Sequence, residues 1–276
     1  MVSVARRLTR QRGALVGIAI LALLALLAVA APWLSPRDPI RTAPRAALQA
    51  PGAAYWLGSD QLGRDVASRV LHGARISLTV GLISVSIAVG LGAPIGLVSG
   101  FYGGRLDALV MRVIDVLLAF PGILLALAIE SVLTPGLTNV MLAVGLSAVP
   151  TYARLVRATV LSSRENLYVE AARALGSRDP AILRRDILPN VVAPLVVTAT
   201  LGLGTAILAA AALSFLGLGS QPPQPEWGRM LSEGRDYLRE AWWISTFPGL
   251  GIMLTVLGMN LLGDGLRDVL DPRLEV

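Results

Sequence analysis

The sequence predicts an all-α membrane protein with six transmembrane helices. Three observations carry this. Of 276 residues, 54% are hydrophobic and only 15% charged, with a mean hydropathy of +0.67; a soluble domain carries about 25% charged residues. The apolar residues gather into six runs, each near the roughly 20 residues a helix needs to cross a bilayer. Backbone breakers stand between several of them: Gly103-Gly104, Pro135-Gly136 and Pro222-Pro223. In hydrocarbon every N–H and C=O must be paired within the chain, which a helix achieves and an irregular segment does not.

The first run follows Arg6-Arg7-Leu8-Thr9-Arg10-Gln11-Arg12 and is uncharged from Gly13 to Leu34. A signal peptide has a shorter apolar region, about 7–15 residues, followed by a small-residue cleavage site. This run is longer and ends at Pro32-Trp33-Leu34, where Trp33 suits an interfacial anchor, so it reads as a true span. Residues 1–34 thus form an N-terminal tail and first span. Residues 35–75, with Pro36, Pro39, Pro44 and Pro51, form a loop outside the membrane. Residues 76–276 hold five more spans, near Ile76–Val98, Leu106–Leu133, Val140–Val160, Val191–Leu218 and Ile244–Leu266. Asp65 to Arg75 reads as an amphipathic helix that Asp65 can cap, lying on the membrane surface or, less in keeping with its ragged apolar face, meeting another protein. Pro94 and Pro121 are expected to kink their helices. Gly13/Gly17, Gly92/Gly96 and Gly96/Gly100 have the small-xxx-small spacing that lets helix backbones approach closely.

An even number of spans puts both termini on one side. With the N-terminus inside, 15 arginines fall on inner segments and 9 on outer ones, which favours cytoplasmic termini. The net charge of +6 therefore belongs to topology and not to nucleic-acid binding. All 24 basic residues are arginine, so no phosphate loop ending in Gly-Lys-Ser/Thr exists in this chain. Cysteine is absent, which excludes a disulfide framework and a thiolate metal site; His72 is the single histidine, which argues against a His-based metal cluster and a Ser-His-Asp triad. His72 reads as polar loop surface. Arg112 and Asp115 stand three apart and can pair on one helix face. Asp264, Arg267 and Asp268 share a face at the inner end of the last span.

The connection between the fourth and fifth spans, about residues 165–190, is the most informative stretch. Glu165 to Leu175 is good helix sequence, and Gly176 sits where a C-terminal cap belongs. Asp179 can cap a second short helix, with Pro180 at its first position. Tyr168, Ala171, Ala172 and Leu175 fall on one helix face. That face is apolar yet lies outside the spans: it either packs under the bundle or meets another protein.

Glu170-Ala171-Ala172, three residues, Gly176 and then Leu188-Pro189 resemble the signature of binding-protein-dependent ABC importer permeases. The Ile found two places before the Leu in many members is replaced here by Asp186, with Ile187 beside it. Other segments resemble the dipeptide/oligopeptide/nickel branch and its second, C-type permease subunit. They are Leu57 to Asp65 with Ser68-Arg69 and Gly73 to Leu78, Asp107 to Gly122, Leu213 to Gly219 with Glu226-Trp227-Gly228, and Asn260 to Asp268 with Leu270 to Leu274. A glutamate common in relatives before Leu213-Ser214-Phe215 is Ala210 here.

The resemblance implies a type I ABC importer permease-like bundle whose cytoplasmic coupling helices carry Tyr168, Glu170, Ala171, Ala172, Leu175, Gly176, Leu188 and Pro189. It implies a second permease subunit, two ATP-binding subunits that hold ATP and Mg, and an extracytoplasmic substrate-binding protein. This chain then needs no cofactor of its own and catalyses no reaction. Glu130 either sits in headgroup water or lines the translocation path, facing a peptide amino group. The implied cargo is a di- or oligopeptide, with nickel or a metal chelate as the alternative. An ion-coupled secondary transporter is the rival class, but it needs internal repeats and charges near the midplane, and neither is evident. A membrane-embedded hydrolase is the third class, and a single loop histidine gives it no base or metal ligand.

Overall fold

The computed structural model describes residue 8 and residues 11–270 of the chain. The basic residues Arg6, Arg7 and Arg10 and the tail motif through Leu274 lie outside the described residues. Helix α1 is Arg12–Leu34 and α2 is Val66–Tyr102. Helix α3, Gly104–Leu118, is followed by α4, Gly122–Val132, and α5 spans Leu137–Arg164. A short α6, Leu167–Ala174, precedes a single turn α7, Asp179–Ile182, and a π turn, Leu183–Ile187. Helices α8, Leu188–Phe215, α9, Trp227–Gly234, and α10, Trp243–Leu270, complete the chain. Among the described residues, five helices are long and apolar enough to cross a membrane, and α3 with α4 makes a sixth crossing if counted as one.

That third crossing differs from the expected kinked helix. Its two halves meet at 92° across residues 119–121. Proline at 121 removes a donor and disfavours helical geometry at Phe120, and two helices result. Helix α3 leaves Leu109, Val113 and Val116 exposed, and Phe120 in the break is exposed as well.

The crossings alternate between two ends of the bundle. Residues 35–65, α4's last turn and α9 occupy one end; Gly103, α6 and α7 occupy the other. Gln11 Nε2 donates to Asp268 at 3.3 Å, so the first and last spans begin and finish at the α6 end.

The tightest contact in the bundle joins α2 to α5. A Cβ on Gly92 would lie 2.8 Å from the Tyr152 side chain, and one on Gly100 would lie 2.9 Å from Val160. Gly96 faces the Ala153 carbonyl and Val156 between them. Four-residue spacing thus builds a groove along α2 that receives α5. Gly17 does the same for α1, where a Cβ would lie 2.8 Å from the Gly258 carbonyl of α10.

The expected surface helix at Asp65–Arg75 is instead the first turns of α2. No breaker separates Arg75 from Ile76, so one helix runs through. Asp65 does cap it, accepting from Ser68 N at 2.8 Å. This stretch is buried because its polar residues find partners. Asp60 Oδ1 accepts from Leu62 N and Arg64 N, both at 2.9 Å, folding the turn before the helix. Arg64 and Arg69 then converge on Glu233 at 2.6 and 3.1 Å, with Arg229 at 3.2 Å. Arg64 also pairs with Asp60. His72 is half-buried in this helix, its Nδ1 3.0 Å from the Ser68 carbonyl and 3.1 Å from Ser35 Oγ.

Glu226 caps α9, accepting from Gly228 N at 2.8 Å and Arg229 N at 2.9 Å. Burial pushes its carboxyl above the usual range, and these hydrogen bonds oppose the shift. Trp227, fully buried, donates Nε1–H to the Val70 carbonyl at 3.0 Å.

Two outcomes test this account. Gly96→Leu forces α2 from α5 and is expected to cost about 1–3 kcal/mol or more by overpacking, read as a lower melting temperature of the purified protein. Glu233→Ala leaves buried Arg64 and Arg69 short of a counter-charge, at a cost of about 3–5 kcal/mol. The same measurement should show Arg235→Ala, an exposed pair with Asp236, to be nearly neutral.

Candidate functional site

The stretch from α6 to the start of α8 forms a hook at one end of the bundle. Helix α6 ends at Gly176 with φ of +82°, a conformation that costs glycine nothing and other residues strain. Gly176 N donates to the Arg173 carbonyl and Ser177 N to the Ala172 carbonyl, both at 3.0 Å. This is the paired bonding of a glycine-terminated helix. The expected cap at Asp179 shifts by one: Arg178 is the N-cap, and Asp179 and Pro180 are the first residues of α7. Nor is the second arm a separate helix. Through the π turn it runs into α8, which is expected because no glycine separates Pro180 from Leu188.

Three buried aliphatic side chains anchor the hook. Val169, Ile182 and Ile187 pack with Val156, Val160 and Val191 against the α2–α5 pair. Ile187 is fully buried in this cluster, while the Asp186 carbonyl accepts from Asn190 Nδ2 at 2.8 Å. Asn190 Nδ2 also lies 2.9 Å from Tyr168 Oη. Tyr168 on α6 is thus tied directly to α8 across the Gly176 turn.

The opposite side of the hook is not covered by any of the described residues. Leu175 is 87% exposed and Tyr168 45%; Leu167, Glu170, Ala171, Gly176 and Pro189 are exposed as well. Ala172 is half-buried beneath α6, and Leu188 is 37% exposed. Both readings of the apolar face therefore apply, one to each side. Ala172 with Val169 packs under the bundle, and Tyr168, Ala171 and Leu175 look outward. Val169 and Asn190 were missed in the sequence. Val169 carries the signal of being three residues before Ala172, on the same helix face.

Two clefts open beside α8. One, about 530 Å³, lies among α2, α4, α5, α8 and α10, with Ser147, Thr151, Thr198, Thr205 and Asn260 among its polar lining. The other, about 540 Å³, lies toward the hook, with Pro189, Asn190, Pro194 and Arg267 on its wall. Thr198 and Leu201 line both.

Glu130 is neither in open water nor on the lining of these clefts. It is 1% exposed at the far end of α4, with neither carboxylate oxygen partnered among the described residues. The expectation failed because α4, freed from α3 by its sharp bend, turns this face onto α5 and the core. Asp115 pairs with Arg154 of α5 and not with Arg112. The neighbouring Asp107 takes two hydrogen bonds from Arg157, one at 2.6 Å from Nη2. Charges near the start of the third crossing therefore bind it to the fifth helix. Ala210 sits in the apolar core with Val80, Val140 and Leu213.

Residues 92–276 match the model of the binding-protein-dependent transport system inner membrane component, and residues 1–51 match the N-terminal transmembrane domain of oligopeptide transport permease C. The chain is 47% identical over 270 residues to the dipeptide transport system permease protein DppC of Alkalihalophilus pseudofirmus, covering 98% of this chain and 89% of that one. It is 50% identical over 227 residues to the glutathione transport system permease protein GsiD of Pectobacterium atrosepticum, covering 82% and 75%. Among solved structures, an inward-facing MetNI methionine ABC transporter superposes with a TM-score of 0.59 at 23% identity, over 72% of this chain and 95% of that one. That likeness is one of fold, a type I importer permease bundle. A multi-pass helical chain matched over residues 92–276 belongs to the binding-protein-dependent transport system inner membrane component family of ABC importer permeases.

Proposed function

We propose that this chain is the second, C-type permease subunit of an ATP-driven importer that carries di- or oligopeptides inward by alternating access. The observation that carries the reading is the hook: an apolar, outward-facing short helix on a buried aliphatic anchor. An exposed Leu175 beside Tyr168 and Ala171 costs solvation in isolation and suits a groove on another protein. Its partners would be two ATP-binding subunits, a second permease and an extracytoplasmic substrate-binding protein, with the hook and both termini on the cytoplasmic side. Peptide cargo is supported by relatives named for dipeptide, peptide and glutathione transport.

The geometry suggests how force is passed on. A push on α6 reaches α8 by two routes: packing of Val169 with Ile182 and Ile187, and the Tyr168–Asn190 hydrogen bond. Helix α8 forms a wall of both clefts. Moving the hook therefore tilts a wall of the clefts, a shear of packed helices. Glu170, Leu188 and Pro189 flank this route. In this reading Gly176 fixes the angle of α6 against α7.

The direct test is affinity purification of this chain from membranes, followed by assay of the recovered complex. A second permease and ATP-binding subunits are expected to co-purify, and peptide with its binding protein should stimulate ATP hydrolysis. A chain recovered folded and alone would overturn the reading. Gly176→Val imposes about 1–2 kcal/mol of left-handed strain, enough to shift a two-state balance roughly 5–30-fold. Peptide uptake per ATP hydrolysed should fall while the complex still assembles; an unchanged ratio would remove the bend from the mechanism.

A further inference from the structure

We infer that the two clefts beside α8 are one groove, that this groove is the subunit's wall of the substrate path, and that it holds a peptide through main-chain amides. The inference rests on the importer reading and deepens it.

Continuity comes first. Thr198 and Leu201 line both clefts. Along α8 the lining residues Asn190, Pro194, Thr198, Leu201, Thr205 and Ala209 recur every three or four positions, so they form one face of a helix. From Asn190 to Ala209 that face rises about 28 Å at 1.5 Å per residue. The hydrocarbon core is about 30 Å thick. One face of α8 therefore lines open volume over nearly the whole thickness of a membrane.

The chemistry of the wall comes second. Its polar groups in the first cleft are hydroxyls and an amide, and no carboxylate or guanidinium lines that cleft. Arg267 is the charged residue of the second, at its hook end. The Thr205 hydroxyl is engaged with the Gly202 carbonyl at 2.9 Å and the Ser147 hydroxyl with that of Val144 at 2.9 Å. The side chains of Thr151, Thr198 and Asn260 make no hydrogen bond among the described residues. A helix facing only lipid gains nothing from such groups, because polar atoms are costly there. Water and peptide amides can satisfy them. A neutral wall does not discriminate among the side-chain charges of the cargo, whereas every peptide carries the same N–H and C=O groups.

The absence of cysteine makes the test clean. The complete transporter, its partner chains freed of cysteine, is reconstituted with Thr198→Cys, Thr205→Cys or Val196→Cys. Val196, 41% exposed, lies about half a turn round α8 from the groove. A charged, membrane-impermeant methanethiosulfonate should modify Thr198→Cys and Thr205→Cys but not Val196→Cys. Transported dipeptides should slow that modification several-fold, equally for neutral, acidic and basic ones. Thiols at 198 and 205 no more reactive than at 196 would mean that lipid or the partner permease seals the groove, and would overturn the proposal. So would modification at a rate that peptide leaves unchanged. Protection by one charge class alone would overturn the main-chain part. An unsubstituted complex that takes up no peptide, with the thiol of the Thr198→Cys variant still reactive, would instead strike the importer reading and assign the groove to another solute.

Discussion

The close approach of α2 and α5 supports the rest of the structure. Gly92, Gly96 and Gly100 place backbone against backbone, so the two helices share a long, rigid contact with no side chain between them on the α2 side. Apolar attraction between helices is weak in lipid, where the surroundings are as oily as the partner; close van der Waals packing takes its place. The contact continues to the hook end, where Val156, Val160 and Phe101 form the platform for Val169, Ile182 and Ile187. On its other side the cleft begins, with Val144, Ser147 and Thr151 of α5 on the wall. The same helix pair thus anchors the hook and borders the cavity.

At the opposite end polar interactions do the corresponding work. Glu233 gathers Arg64, Arg69 and Arg229, and Asp60 closes the turn that presents Arg64. Two distant stretches, Leu57 to Arg69 and Glu226 to Glu233, are joined by a charge cluster that packing alone would leave free to slide. Buried ion pairs add little net stability, but breaking one leaves an uncompensated charge. Here they fix which loop lies against which helix.

The hook combines a fixed and a variable part. Its glycine turn and its π turn are the places where backbone geometry departs from the α-helix, and π turns within helices often coincide with functional sites. Between them, aliphatic packing and the Tyr168–Asn190 bond keep α6 and α8 in step. A force applied at Leu175 or Ala171 therefore has a physical route to α8, independent of the short Ser177-Arg178 linker.

The sequence alone determined the solvent, the apolar runs, the close-packing glycines, the cap at Asp65 and the left-handed turn at Gly176. Each depends on local periodicity or on one residue's backbone freedom. It also placed Tyr168, Ala171, Ala172 and Leu175 on one helix face, and left open whether that face packs under the bundle or looks outward. What it left undecided depends on neighbours distant in sequence. Asp115 has Arg112 within reach on its own helix, and only the packing of α5 offers Arg154 instead. Glu130 reads as accessible until the break before α4 turns it into the core. Residues 66–75 read as a surface helix until Glu233 supplies the charge that lets Arg69 be buried. The groove along α8 is a relation among α2, α4, α5, α8 and α10. No periodicity within one helix encodes the volume left between several, so only the tertiary structure could place it.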